Sequence, residues 1–149
     1  PEGVRHAQVV LFAIPGAAMA DTVARLGPLL DGKVVIDAAN NVRDAIMHSA
    51  RAVAAAAPRA SYFRAFNTLG WELFDRPLVG GIPADLFFCG PDGAHRVIVE
   101  RLITDVGLRP QWVGGPEEVD VVDGLLRLWF TLVAKRGRGR RLALKVIEE

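Results

Sequence analysis

The chain has 149 residues, 51% hydrophobic and 23% charged, with a formal net charge of +1. That balance excludes a disordered polymer and suits one globular domain with a core of its own. Cys89 is the single cysteine, so no internal disulfide can form, and no apolar run approaches the ~18 residues of a bilayer span. A soluble, cytoplasmic protein is expected, with no membrane partner. The chain begins at Pro1 and enters a strand within a few residues, which suggests a fragment or a processed form.

Gln8 to Ile14 is an almost continuous apolar run, the pattern of a strand buried on both faces of a parallel sheet, and Pro15-Gly16 ends it. Met19, Val23, Leu26 and Leu30 follow at helical spacing, interrupted by Gly27-Pro28, so two pieces are expected. Lys33 to Asp37 reads as a second buried strand ending in Ala38-Ala39-Asn40-Asn41. Residues 44 to 57, rich in alanine, predict a helix closed by Pro58. Ser61 to Phe66 predicts a third strand, broken by the polar pair Asn67-Thr68 and by Gly70.

Trp71 to Phe74 suggests a helical turn, and the prolines and glycines of 76–84 suggest a loop. Asp85 to Gly90 reads as a strand. Asp92 is placed to cap a helix running to Val106, and Gly107 to stop it. Leu108 to Val113 reads as a last strand, near an edge because of Pro110. Beyond Gly114-Gly115-Pro116 the chain predicts a long helix with acids in its first turn. Its wide apolar face, from Val121 to Val133, suggests a homodimer contact. Strand and helix alternate throughout, the pattern of a doubly wound α/β fold.

Three strands thus end in turn-forming or small polar residues: Pro15-Gly16, Asn40-Asn41 and Asn67-Thr68. In open α/β sheets the crevice beyond the carboxyl ends of the strands is where ligands bind. A metal site is not expected, because His6, His48 and His95 lie far apart and Cys89 has no partner at ligand spacing. No Gly-x-Ser-x-Gly elbow or Walker loop occurs. Asp37 could be an acid or a ribose ligand, although a capping role is commoner. Arg136 to Arg141 looks like a nucleic-acid-binding tail, but no aromatic residues interleave with it. A solvated turn between helices, or a contact for a small anion, is the favoured reading, and nucleic acid is not expected as a partner.

Several stretches together carry a resemblance. Ala65-Phe66-Asn67-Thr68-Leu69-Gly70-Trp71-Glu72 resembles the Ala-Phe-Asn-Thr segment of the NADPH-dependent F420 (deazaflavin) reductases. Val10 to Pro15, Lys33 to Ala38 with Asn40, and Asp85 to Asp92 are similar to further segments of that family. So are Gly107 to Pro110 with Gly114-Gly115, and Arg136 to Gly139 with Leu142 to Lys145, which looks like its closing helix. The motifs occur in the family's order over essentially the whole chain. The departure is at the start: the family's glycine-rich turn for the NADP pyrophosphate, and the Ser/Arg pair for the 2′-phosphate, have no counterpart.

The resemblance implies a Rossmann-like, mostly parallel α/β domain over 1–149, lacking its N-terminal unit, with a C-terminal helical segment over 113–149. It implies NADP(H) as cofactor and coenzyme F420 as co-substrate. Hydride would pass between C4 of the nicotinamide and C5 of the deazaflavin, with no side chain as catalyst and the protein stacking two rings. Ala13, Ile14 and Pro15 would lie on the nicotinamide ribose side, Asn40 near the nicotinamide, and Ala65, Asn67 and Thr68 at the cofactor. Asn67 and Leu69 would also meet the second ring. Trp71 and the loop 76–84 would set the acceptor, and Leu142 would cap the second ring. Alternatives are an NADP-dependent reductase of a flavin, a quinone or an imine, and a non-catalytic dimerising or nucleotide-sensing domain.

Overall fold

The computed structural model describes residues 2–149. A short helix, α1 (Glu2–His6), leads into β1 (Val9–Phe12). After a 3₁₀ turn at Gly16–Ala18, α2 (Met19–Leu26) is followed by a separate 3₁₀ segment, Gly27–Leu30. The break at Gly27-Pro28 therefore falls where the sequence places it. Then come β2 (Val34–Asp37), α3 (Ala50–Ala56), β3 (Ser61–Arg64) and α4 (Glu72–Asp75). Strands β1, β2 and β3 form a parallel sheet in that order, with Val9, Val34 and Ser61 in register.

The second half adds β4 (Leu78–Val79), β5 (Ile82–Pro83), β6 (Asp85–Phe88), α5 (Ala94–Asp105), β7 (Arg109–Trp112) and α6 (Val119–Phe130), which continues as a π-helical turn to Lys135. Strands β6 and β7 are parallel to each other. They join the first sheet through one antiparallel bridge, in which the main chains of Arg64 and Cys89 exchange hydrogen bonds of 3.0 and 3.2 Å. The sheet thus reverses direction at that seam.

Alternation along the strands distributes the core over two faces. Val35 and Tyr62 pack with Met19, Val23, Val53 and Val122, under α2, α3 and α6. Val34, Ile36 and Phe63 pack on the other face with Leu73, Val99 and Ile103, under α4 and α5. Helices on both faces of a parallel sheet make the Rossmann-like arrangement expected from the sequence.

Several expectations are corrected. The helix expected from residue 44 begins only at Ala50. The chain before it folds back on β2: the Asn41 amide donates to the Met47 carbonyl, and the Ser49 amide donates to Asp37 Oδ2 at 2.7 Å. The loop 76–84 contains the β4–β5 hairpin. Asp92 does not cap α5; its carboxylate accepts from the adjacent Gly93 amide at 2.7 Å, and the helix starts after Gly93. Strand β1 is not buried on both faces, since Leu11 is 46% exposed and lines an open cavity.

The closing helix is absent: residues 136–149 run as an irregular strap. Its basic side chains hold it down along the 72–85 region. Arg140 pairs with Glu72, while Arg141 donates to the carbonyls of Glu72, Arg76 and Leu78. Lys145 and the Val146 amide both donate to Asp85. Three of the six basic residues between Lys135 and Lys145, namely Arg140, Arg141 and Lys145, are thus bound to protein.

Candidate functional site

The carboxyl ends of β1, β2 and β3 surround a cavity of about 570 Å³. Leu11, Ala13 and Ile14 line it from the first strand and its turn; Ala38, Ala39 and Asn40 from the second; and Phe66 and Leu69 from the third. Trp71, Phe74 and Val106 complete the wall. The volume is that of an ordinary small-molecule site. No ionisable side chain is among the lining residues; Asn40 supplies the side-chain polarity.

Local backbone geometry sets this wall. Phe66 adopts φ +61°, the left-handed region that non-glycine residues seldom occupy. The twist directs the chain out of β3 and places the Phe66 ring edge-on to Phe74, 5.9 Å between centroids. Gly16 lets the β1 turn close on the β2 turn: a Cβ there would sit 2.4 Å from the Asn41 amide nitrogen. Trp71 is 67% exposed at the rim.

Behind the cavity lies a buried polar network. Arg64 is fully buried, and two carboxylates, Asp37 and Asp123, face it. Its Nε donates to Asp123 Oδ1 at 2.9 Å, and its Nη1 lies 3.3 Å from Asp37 Oδ1 and donates to the Asp37 and Ala39 carbonyls. Nη2 donates to Asn40 Oδ1 at 2.7 Å. Tyr62 donates to Asp37 Oδ2 at 2.8 Å; burial, then the neighbouring Asp37 charge, pushes its hydroxyl well above the usual phenol range. Two carboxylates thus face one guanidinium inside the protein, and hydrogen-bond donors from the main chain and from Tyr62 help to satisfy them.

The expected site residues separate into two groups. Ala13, Ile14, Asn40, Leu69 and Trp71 line the cavity together. Pro15, Ala65, Asn67, Thr68 and Leu142 do not. Pro15 starts the 3₁₀ turn, accepting from the Ala18 amide. Ala65 is wholly buried in the core. Asn67 is 2% exposed and belongs to the Arg64 network: with its amide oxygen facing the guanidinium it accepts from Nη2 at 3.1 Å and Nε at 3.2 Å. Thr68 Oγ1 is buried without a hydrogen-bond partner. Leu142 accepts from Trp129 Nε1 at 3.1 Å through its carbonyl.

Sequence reasoning missed Leu11, Ala38, Ala39, Phe66, Phe74 and Val106 as wall residues, and Arg64, Asp37 and Asp123 as one network. The usable signal was a charged residue, Arg64, inside the hydrophobic strand 61–66. Among the described residues no cluster of His, Cys, Asp and Glu could hold a metal, and no helix is long and apolar enough to cross a membrane.

No family model and no curated protein sequence matches the chain. Solved structures do. A protein from Arthrobacter sp. FB24, provisionally named as an F420-dependent NADP-reductase, aligns at TM-score 0.82 and 22% identity over 99% of this chain and 72% of its own. The hypothetical protein SMa0349 from Sinorhizobium meliloti aligns at TM-score 0.63 and 26% identity, over 76% of this chain and 60% of its own. The pyrroline carboxylate reductase of Plasmodium falciparum, solved with NADP bound, aligns at TM-score 0.51 and 11% identity, over 93% of this chain and 53% of its own. The chain thus spans between half and three-quarters of these proteins. What is shared at such identities is the fold: the chain has the Rossmann-like α/β architecture of the Arthrobacter protein over nearly its whole length.

Proposed function

We propose that the chain belongs to an NADP-dependent oxidoreductase and holds the nicotinamide end of NADP(H) in the cavity beyond β1–β3. The observation that carries this is the lining itself: apolar and aromatic walls, one amide, and no ionisable side chain. Hydride transfer needs two flat rings stacked at reacting distance with water kept out, and no proton donor at the reacting carbons. A hydrolytic or general acid–base mechanism would need a titratable group at the wall. When bound, NADPH supplies the hydride.

Ala13, Ile14 and Leu69 offer apolar surface to the rings, and Asn40 offers the hydrogen bond that orients them. Trp71 at the rim is placed to choose the second ring. Coenzyme F420 is our favoured acceptor, supported by the ordered motifs from Val10 to Gly115 and by the name of the Arthrobacter protein. For the pyrophosphate the residues offer less, since the sequence contains no Gly-x-Gly-x-x-Gly turn. The reading includes a homodimer, supported by the exposed Val121, Leu128 and Phe130 on α6.

The test is direct. Titration of the chain with NADPH, followed by nicotinamide fluorescence, is expected to saturate, and addition of oxidised F420 is expected to bleach the deazaflavin. Saturation without bleaching would replace F420 by another acceptor. No response to NADPH, even at millimolar concentration, would remove the nicotinamide assignment. Sedimentation of the same sample decides the dimer.

A further inference from the structure

We infer that Arg64 is a positioning residue: it locks the amide of Asn40 so that the cavity presents an N–H donor, not an acceptor, and thereby selects ligands with an acceptor oxygen at that point. The inference rests on the cavity assigned above but not on which ring occupies it.

A guanidinium carries five donors and no acceptor. The group 2.7 Å from Arg64 Nη2 must therefore be the Asn40 oxygen, which settles the orientation of an amide that is otherwise ambiguous. The same logic turns the Asn67 oxygen toward the guanidinium. Nδ2 of Asn40 is left as the free end. One of its hydrogens reaches the Asn67 carbonyl over a long 3.4 Å. The other has no acceptor among the described residues, and Asn40 lines the cavity.

Arg64 is itself tied down on several sides. Asp37 and Asp123 fix the guanidinium, and the main chain is bridged to Cys89 at the sheet seam. Rigidity therefore passes from the seam to the guanidinium, from there to the amide, and ends at the cavity. Were Arg64 present only to neutralise buried carboxylates, Asp37 and Asp123 would satisfy it and the contact to Asn40 would be incidental.

The experiment uses the ¹⁵N-labelled full chain. The Asn40 side-chain amide signals are identified by their loss in Asn40→Asp, a variant whose carboxylate still accepts from Arg64. In the unmodified protein the two Asn40 protons are expected to be well separated in shift and rigid on the nanosecond scale. In Arg64→Lys, which keeps the charge but loses the fork, they are expected to converge toward free-asparagine values. Oxidised NADP and nicotinamide mononucleotide serve as probes. Each single variant is expected to weaken binding about tenfold, the scale of one hydrogen bond. The double variant should bind no worse than Asn40→Asp, because Arg64 acts through Asn40.

A mobile Asn40 amide in the unmodified protein overturns the inference, and that spectrum decides even if Arg64→Lys does not fold. So do unchanged Asn40 signals in Arg64→Lys, or additive losses in the double variant. A rigid amide that Arg64→Lys releases, but that neither nucleotide shifts, upholds the positioning role and removes the nicotinamide assignment instead.

Discussion

Asp123 on the terminal helix and Arg64 on the central strand, 59 residues apart in sequence, meet as a buried ion pair with Nε 2.9 Å from Oδ1. With Asp37 on the other side, the single cation stands between two carboxylates. Arg64→Met would leave both carboxylates uncompensated and is expected to cost about 3–5 kcal/mol or more. Asp123→Asn keeps an acceptor and leaves one charge on each side, so about 1–3 kcal/mol is expected. Urea unfolding of the two variants checks the ranking; a milder Arg64→Met would contradict it.

Gly16 supplies a second prediction. An added Cβ would fall 2.4–2.5 Å from main-chain atoms of Asn40 and Asn41, which cannot swing aside as a flexible side chain would. Gly16→Ala is therefore expected to destabilise by about 1–3 kcal/mol, the usual cost of overpacking. It should also push the two turns apart and weaken any ligand of the cavity. A thermal melt and a nucleotide titration measure the two effects together.

Asp85 predicts an acid limit. Burial alone would raise its carboxyl, but hydrogen bonds from Arg109, the Val146 amide and Lys145 outweigh it and hold the group down at about 2. Its folded value lies below the value of about 3.9 in an unfolded chain. The stability it contributes is thus present above about pH 4 and is lost as pH falls toward 2. Asp85→Asn is expected to flatten that part of the melting-temperature profile and to expose the strap 136–149 to protease at neutral pH. A profile identical to the unmodified protein between pH 5 and 2 would refute this.

Cys89 is wholly buried, and burial pushes its thiol up to about 12. A thiolate is the reactive form, so native protein is expected to resist iodoacetamide at pH 8 and to react fully once unfolded. Mass spectrometry before and after denaturant reads the difference.

Leu11 offers a way to close the cavity without disturbing the core. It is 46% exposed and faces the cavity, so Leu11→Trp is expected to fold normally, with stability within about 0.5 kcal/mol. Nucleotide binding should fall by tenfold or more. Unimpaired binding would place the nucleotide elsewhere.

Strands β2 and β3, the break at Gly27-Pro28 and the meeting of three strand ends were legible because each rests on local pattern: apolar runs, a proline, polar residues after a strand. The network was not. Arg64 lies in a strand whose pattern reads as hydrophobic, and its partners stand 27 and 59 residues away, a pairing that only the packed fold creates. The strap was misread for a related reason. Residues 142–147 have apolar character, but their path is dictated by Asp85 and by the carbonyls of the hairpin, not by helical periodicity. Asn67 shows the limit for the site: its place after a strand suggested a ligand contact, whereas its side chain turns inward to Arg64.

The reversal of direction at the Arg64–Cys89 seam divides labour along the chain. Because β6 and β7 run opposite to β1–β3, the turns that follow them, at Gly90 and Gly114, open on the far edge of the sheet. Every cavity residue except Val106 accordingly falls between 11 and 74. The later half of the chain acts as scaffold to the earlier half, sending Asp123 in as a brace and laying the strap across the hairpin. Redesign toward a different ligand therefore has its vocabulary in the first 74 residues, and redesign for endurance in the remainder.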